Sequence, residues 1–118
     1  MIHYMKLAPG PFSLMETGLK TIELRLYDKK RQAIKIGDRI RFSCTVGEGE
    51  IVAKVLKMHL FENFAQLYDA LPLDKCGYLP DDCMLASPAD MDIYYAPELQ
   101  KQLGVVGIEL EIIDVKTG

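Results

Sequence analysis

Lys20, Glu23 and Arg25 fall within six positions, in the stretch Gly18-Leu19-Lys20-Thr21-Ile22-Glu23-Leu24-Arg25. Side chains alternate along a strand. A strand over 20–26 therefore puts Thr21, Glu23 and Arg25 on one face, and Ile22, Leu24 and Leu26 on the other. The apolar face enters a core. The charged face brings a carboxylate beside a guanidinium, with Lys20 at the strand mouth able to converge on both. Such a trio can hold a phosphate on its cations and read a base edge with its carboxylate. A lysine taken out of water can also shed its proton and act as a nucleophile, with a glutamate as base. If the protein is an enzyme, Lys20 and Glu23 are its expected catalytic pair.

Aromatic and basic residues extend this site. Tyr94 and Tyr95 are adjacent, so extended backbone points them opposite ways, one into the core and one toward a pocket. Tyr95 is taken as the pocket residue, and Tyr27 is a second candidate for stacking on a base. Residues 28–41 carry Lys29, Lys30, Arg31, Lys35, Arg39 and Arg41 against Asp28 and Asp38, a local charge of +4 in a chain of net −3. The remainder then carries −7. A protein holding long duplexes by charge is normally basic throughout, so this local patch suits a short single strand, a nucleotide or a nucleoside. The expected ligand-binding set is Lys20, Thr21, Glu23, Arg25, Tyr27, Lys30, Arg31 and Tyr95.

The elements that position these residues are short and mixed. Met5 and Leu7 mark a first strand, broken by Pro9-Gly10-Pro11. Pro11 suits the first turn of a helix with Phe12 and Met15 on its apolar side, ended by Gly18. Asp28 can cap a short helical turn through Arg31. Lys35-Ile36-Gly37-Asp38 reads as a turn. Ile40, Phe42, Cys44 and Val46 alternate with polar residues, which predicts a half-buried strand. A hairpin loop at 47–50 leads to a returning strand over 51–58. Phe61, Phe64, Leu67 and Leu71 recur at helical spacing, predicting an amphipathic helix over 60–71 whose aromatic stripe is core. Residues 72–87 are loop-rich. Ser87-Pro88-x-Asp90 is a capping-box helix start, and a helix over Pro97–Leu103 closes at Gly104. A last strand alternates Val106, Ile108, Leu110 and Ile112 with Glu109 and Glu111.

This order lacks the regular strand–helix alternation of a doubly wound sheet. It fits an α+β chain, a small, partly open mixed β-barrel with short helices over its ends. The 118 residues are expected to form a single domain over 1–118. Three cysteines, Cys44, Cys76 and Cys83, form no CxxC pair and read as reduced thiols. With only two histidines, His3 and His59, neither a histidine-based metal site nor a Ser/His/Asp triad is expected. No metal and no cofactor are expected. No apolar run reaches bilayer length and the first residues show no signal-peptide pattern, so no membrane contact and a cytoplasmic location are expected. The oligomeric state is not legible.

The stretch Gly18-x-Lys20-Thr21-x-Glu23-x-Arg25 resembles the ASCH domain family, a branch of the PUA-like β-barrels. The resemblance extends to Pro11-Phe12, Asp28-x-Lys30-Arg31, Gly37-Asp38 and Gly104-Val105-Val106-Gly107-Ile108, covering nearly the whole chain. It implies the same barrel, and an RNA- or nucleoside-related role. That superfamily includes RNA-binding modules and small acetylcytidine amidohydrolases. The amidohydrolase motif is similar to Lys-x-x-Thr-x-Arg. Lys20 and Arg25 match it, but Glu23 stands where the threonine is expected, and a carboxylate there tethers Lys20 as an ammonium. Two readings follow. One is a pocket that binds RNA or a nucleoside or nucleotide. The other is a small amidohydrolase acting on an acylated nucleoside such as acetylcytidine.

Overall fold

Alternating apolar residues build one sheet, and its curvature decides where the charged residues meet. The computed structural model describes residues 1–116, so the last two positions of the domain expected over 1–118 lie outside the described residues. In chain order the elements are β1 (Ile2–Leu7), α1 (Pro9–Glu16), β2 (Ile22–Leu26), α2 (Lys29–Gln32), β3 (Arg39–Cys44), β4 (Glu50–Phe61), α3 (Phe64–Ala70), α4 (Pro97–Leu103) and β5 (Val105–Lys116). Between α3 and α4 runs a strap of three 3-10 turns, Leu73–Lys75, Pro80–Leu85 and Pro88–Ile93.

The sheet order is β1-β3-β4-β5-β2. β1 and β3 are parallel, and every other pair is antiparallel. β1 and β2 are thus the two edges, yet Arg25 Nη2 on β2 donates to the Lys6 carbonyl on β1 at 2.8 Å. That bond is possible only because the twisted sheet curls its edges toward each other, as in a half-closed barrel. The seam between them is where the candidate site lies.

Two hydrophobic cores lie on opposite faces of the sheet. The inner core joins Met5, Leu7, Ile40, Phe42, Ile51, Val55 and Ile108 to Phe12 and Met15 of α1. The outer core joins Ile22, Leu24 and Leu26 of β2 and Val105 of β5 to Phe64 and Leu67 of α3. Each side chain buried to this extent contributes roughly 1.5–3 kcal/mol. β5 begins with four consecutive buried residues because both of its faces are covered there. α3 therefore lies against the outer face of the sheet, beside β4 and β5, rather than over a barrel end.

Local signals set most boundaries. Asp28 accepts from the Arg31 backbone N–H. Ser87 and Asp90 form the expected capping box, and α4 spans the expected residues. Pro11 lies in the first turn of α1, as expected, with the helix starting at Pro9. Other boundaries differ. β3 ends at Cys44, short of Val46, which is exposed in the hairpin. β2 starts at Ile22, not Lys20. The helix expected over 60–71 spans only 64–70, and β4 runs on to Phe61. There β4 continues its ladder against β5, pairing Leu60 with Val106 and Phe61 with Val105. A ladder bond outweighs helical periodicity, and Asn63 then caps the helix by accepting from the Gln66 N–H.

Candidate functional site

β2 carries the charged residues into the seam. Glu23 pairs across the ladder with Ile108 and Arg25 with Val106, so both face the inner side of the sheet, while Ile22, Leu24 and Leu26 face α3. Lys20 precedes the strand, in a tight connection where the Leu19 and Lys20 N–H groups both donate to the Leu14 carbonyl at the end of α1. This turn aims Lys20 inward, and only 6% of it remains exposed.

The three charges form one bonded cluster. Lys20 Nζ stands 3.1 Å from Glu23 Oε1 and donates to the Cys76 carbonyl at 3.0 Å. Arg25 donates to Glu23 Oε2 through Nε at 3.1 Å and Nη2 at 2.9 Å. Glu23 Oε1 also accepts from the Leu24 N–H at 3.2 Å. Burial opposes the Glu23 charge, but the Lys20 and Arg25 charges and their hydrogen bonds outweigh it and hold the carboxyl below its ordinary range. Burial likewise opposes the Arg25 charge, and Glu23 outweighs it. Glu23 thus has both oxygens engaged, whereas Arg25 Nη1 makes no hydrogen bond to the described residues.

This cluster lines a cavity of about 780 Å³, within the range of about 300–1,000 Å³ usual for small-ligand sites. The end of β1 and α1 form one side, β2 the floor, and the strap the other side. α3 and the strap together contribute a hydrogen-bonded row. The Tyr68 and Tyr78 hydroxyls are 2.6 Å apart, and Tyr78 donates to Asp90 Oδ2 at 2.8 Å. Burial and these two bonds push the Tyr78 hydroxyl upward, so it stays a donor. Tyr95 stacks on Phe64 at 6.3 Å between ring centroids. Cys76, also in the lining, is pushed up to about 11 by burial, which keeps it a neutral thiol.

Four of the eight residues expected to bind ligand line this cavity: Lys20, Glu23, Arg25 and Tyr95. The other four do not. Thr21 is used through its backbone, its N–H donating to Lys75 and its carbonyl accepting from Leu110. Tyr27 packs against the inner core. Lys30 is exposed on α2. Arg31 is folded onto Asp28 at 3.1 Å, although its charge reaches the Tyr95 hydroxyl, after those of Arg25 and Glu23. No residue of the basic segment 28–41 lines the cavity. Tyr68, Tyr78 and Asp90 were not among the expected site residues. Asp90 is legible only as a cap, and the two tyrosines come from separate segments with no spacing to link them.

Gly77 gives the cluster its room. Its φ of +113° is a conformation that side chains rarely adopt, and a Cβ there would lie 3.4 Å from Lys20 Nζ. Gly77→Ala is expected to lower stability by about 1–2 kcal/mol, since it adds backbone strain beside a buried charge. Chemical denaturation checks this, and an unchanged midpoint would show that the loop relaxes freely.

The comparisons agree with this architecture. A family model described as the ASCH domain matches residues 5–114. The crystal structure of a hypothetical protein, PH0355, is 32% identical, with 96% of this chain and 100% of that one aligned at a TM-score of 0.79. A solution structure of PF0455 from Pyrococcus furiosus is 28% identical, over 97% of this chain and 99% of that one, at a TM-score of 0.68. An ASCH protein from Zymomonas mobilis is 14% identical, over 93% of this chain and 66% of that one, at a TM-score of 0.62, a likeness of fold alone. No curated protein sequence matches. The α+β half-barrel with short helices is the ASCH, PUA-like fold expected from the sequence. Among the described residues no helix is long and apolar enough to cross a membrane.

Proposed function

We propose, starting from the ASCH domain family to which the chain belongs, that the seam cavity binds one nucleotide unit of single-stranded RNA or a free nucleoside derivative. The observation that carries this reading is the Lys20–Glu23–Arg25 cluster, with Lys20 and Glu23 buried and Arg25 half-buried, in the floor of a cavity otherwise lined mainly by apolar and aromatic groups. A polar floor in an apolar cleft is the usual make-up of a small-ligand site. Arg25, with Nη1 uncommitted, and Lys20, with one of its three donors uncommitted, supply contacts to phosphate or to base acceptors. Tyr95, braced from behind by Phe64, supplies a ring for a base to stack on. Glu23 positions the two cations. Lys29 and Lys30, exposed on α2, and Arg31 add attraction for a neighbouring phosphate.

The amidohydrolase reading has one observation in its favour, the 3.1 Å approach of Lys20 Nζ to Glu23 Oε1 inside the cavity. Against it, Lys20 Nζ is engaged by the Glu23 carboxylate and the Cys76 carbonyl, and both Glu23 oxygens are engaged in turn. Neither is ready to act as nucleophile or base.

Equilibrium binding of nucleoside monophosphates and short single-stranded RNA tests the proposal, beside thermal melts. Tyr95→Leu is expected to weaken binding about 10–100-fold, the usual worth of one stacked base. Arg25→Lys, which keeps a charge but loses the planar fork, is expected to weaken it at least tenfold. If both variants stay folded and bind as the parent does, the reading fails. Conversion of acetylcytidine to cytidine by the parent, lost in Lys20→Met, would decide for the hydrolase.

A further inference from the structure

The outer face of β1, β3 and the start of β4 has no element packed on it, and its charge is one-sided. Strand register places its residues in rows. Ile2 lies beside Arg39 and Tyr4 beside Arg41, while Lys6 lies beside Ser43. Arg39 in turn lies beside Lys54, and Ser43 beside Glu50. β1, β3 and Lys54 thus bring four cations to this face, with Glu50 the one acid among these rows. The acids gather on β5 instead, where Glu111 lies beside Lys54 and Asp114 beside Val52. In a chain of net −3 this is a marked local excess of positive charge.

The cations are also uncommitted. Among the described residues Lys6, Arg39 and Lys54 form no ion pair, and Arg41 has only Glu50 at 3.7 Å, beyond hydrogen-bonding range. Arg41 Nε is buried without a partner. Tyr4, at the centre of the group, is 57% exposed. Tyr4 and Arg41 line an open depression of about 700 Å³, with Glu48 and Glu50 at its hairpin end. Guarding an edge strand against pairing needs a charge on that strand, not four cations spread over three strands.

This face begins where the seam cavity ends. The Lys6 carbonyl accepts from Arg25 inside the seam, and Lys6 itself lines the cavity. Its side chain alternates with the buried Met5 and Leu7, so it stands on the outer face with Tyr4 and Ile2. Cations two residues apart on a strand are about 6.6 Å apart, and diagonal neighbours on adjacent strands about 7–8 Å. An extended single strand leaving the seam can therefore place successive phosphates on Lys6, Arg41 and the Arg39–Lys54 pair.

We infer that the outer face of β1, β3 and β4 is a second contact surface for single-stranded RNA, tracking the backbone of a strand whose one nucleotide occupies the seam. The inference rests on the proposed cavity function. It identifies the ligand as an oligonucleotide rather than a free nucleoside. Lys6, Arg39, Arg41 and Lys54 neutralise phosphates, and Tyr4 stacks a base. The acids of β5 and of the hairpin bound the path.

The test titrates mixed nucleoside 5′-monophosphates and random-sequence RNAs of four and twelve nucleotides, at several salt concentrations. The proteins are the parent, Arg39→Ala/Arg41→Ala/Lys54→Ala and Tyr4→Ala. In the parent the longer RNA should bind more tightly than the shorter. The triple variant should lose at least tenfold in affinity for the longer RNA. Its salt slope should become shallower by about 2, at roughly 0.7 per lost phosphate contact. Monophosphate binding should be unchanged. Tyr4→Ala should lose affinity for the longer RNA with the slope intact. Equal affinity for the two lengths, or a triple variant that binds the longer RNA as the parent does, would overturn the inference. So would a polyglutamate peptide captured by the parent and lost in the triple variant while RNA binding is unaffected, since the face would then serve an acidic protein. Failure of the cavity reading shows separately, as monophosphate binding that Tyr95→Leu leaves unchanged.

Discussion

Glu23→Ala is expected to lower stability by about 3–5 kcal/mol, the usual cost of removing one member of a buried ion cluster. Lys20, Glu23 and Arg25 all sit in the seam with little or no access to solvent. Without the carboxylate, Lys20 remains buried and Arg25 half-buried, with a carbonyl each as partner. An exposed ion pair would be worth at most about 1 kcal/mol; the burial of Lys20 and Glu23 makes the loss here larger. For a domain whose whole stability is about 5–15 kcal/mol, the loss should be plain in chemical denaturation. A change below 1 kcal/mol would mean that water enters the seam and solvates the cations. The pH dependence follows from the lowered pKa of the carboxyl. Unfolded, Glu23 titrates near 4.5; folded, it titrates lower. Its contribution is therefore fully present above about pH 4.5 and is lost as pH falls through the folded value. Glu23→Gln should remove this part of the acid sensitivity, so its stability should fall less steeply below pH 4.5 than the parent's.

Phe64→Ala is expected to cost about 3–5 kcal/mol as well, here through a core cavity. Phe64 is 1% exposed. It meets Tyr95 in a stacked geometry and Tyr68 edge-on at 6.4 Å, so it is the shared backing of two cavity walls. In the fraction that stays folded, ligand binding should weaken too, because Tyr95 loses the ring that fixes its plane. Phe64→Leu keeps most of the volume and should retain more stability while still loosening Tyr95. Denaturation midpoints and nucleotide titration of both variants check this. If Phe64→Ala lost less than 1 kcal/mol, α3 would not be a working part of the outer core.

Much of the molecule was legible from local pattern. Period-two alternation marked β2, β3 and β5, and placed Ile22, Leu24 and Leu26 opposite Glu23 and Arg25. Asp28, Ser87 and Gly104 marked helix ends, because a cap is satisfied by atoms only a few residues away. The spacing of Lys20, Glu23 and Arg25 identified the charged cluster, and the motif identified the family. What it could not show was the surroundings. Helical spacing at Phe61 gave way to a ladder with Val105, a partner forty-four positions away in the chain. Lys20 is buried because the Cys76 carbonyl and Gly77, from the strap, close over it. Tyr27 and Tyr95 look alike in sequence, yet one packs on the inner core and the other lines the cavity. The basic run at 28–41 is continuous in sequence, yet none of its residues lines the cavity.

The sequence by itself determined the strands, the caps and the identity of the charged trio, since each depends on neighbours within a few residues. Only the tertiary structure decided that Lys20 and Glu23 are buried, that the trio lies between two strands at opposite edges of one sheet, and that Tyr68, Tyr78 and Asp90 face it. The physical reason is that twist and curl belong to the whole sheet. They bring Arg25 within hydrogen-bonding distance of Lys6, and no spacing along the chain encodes that approach.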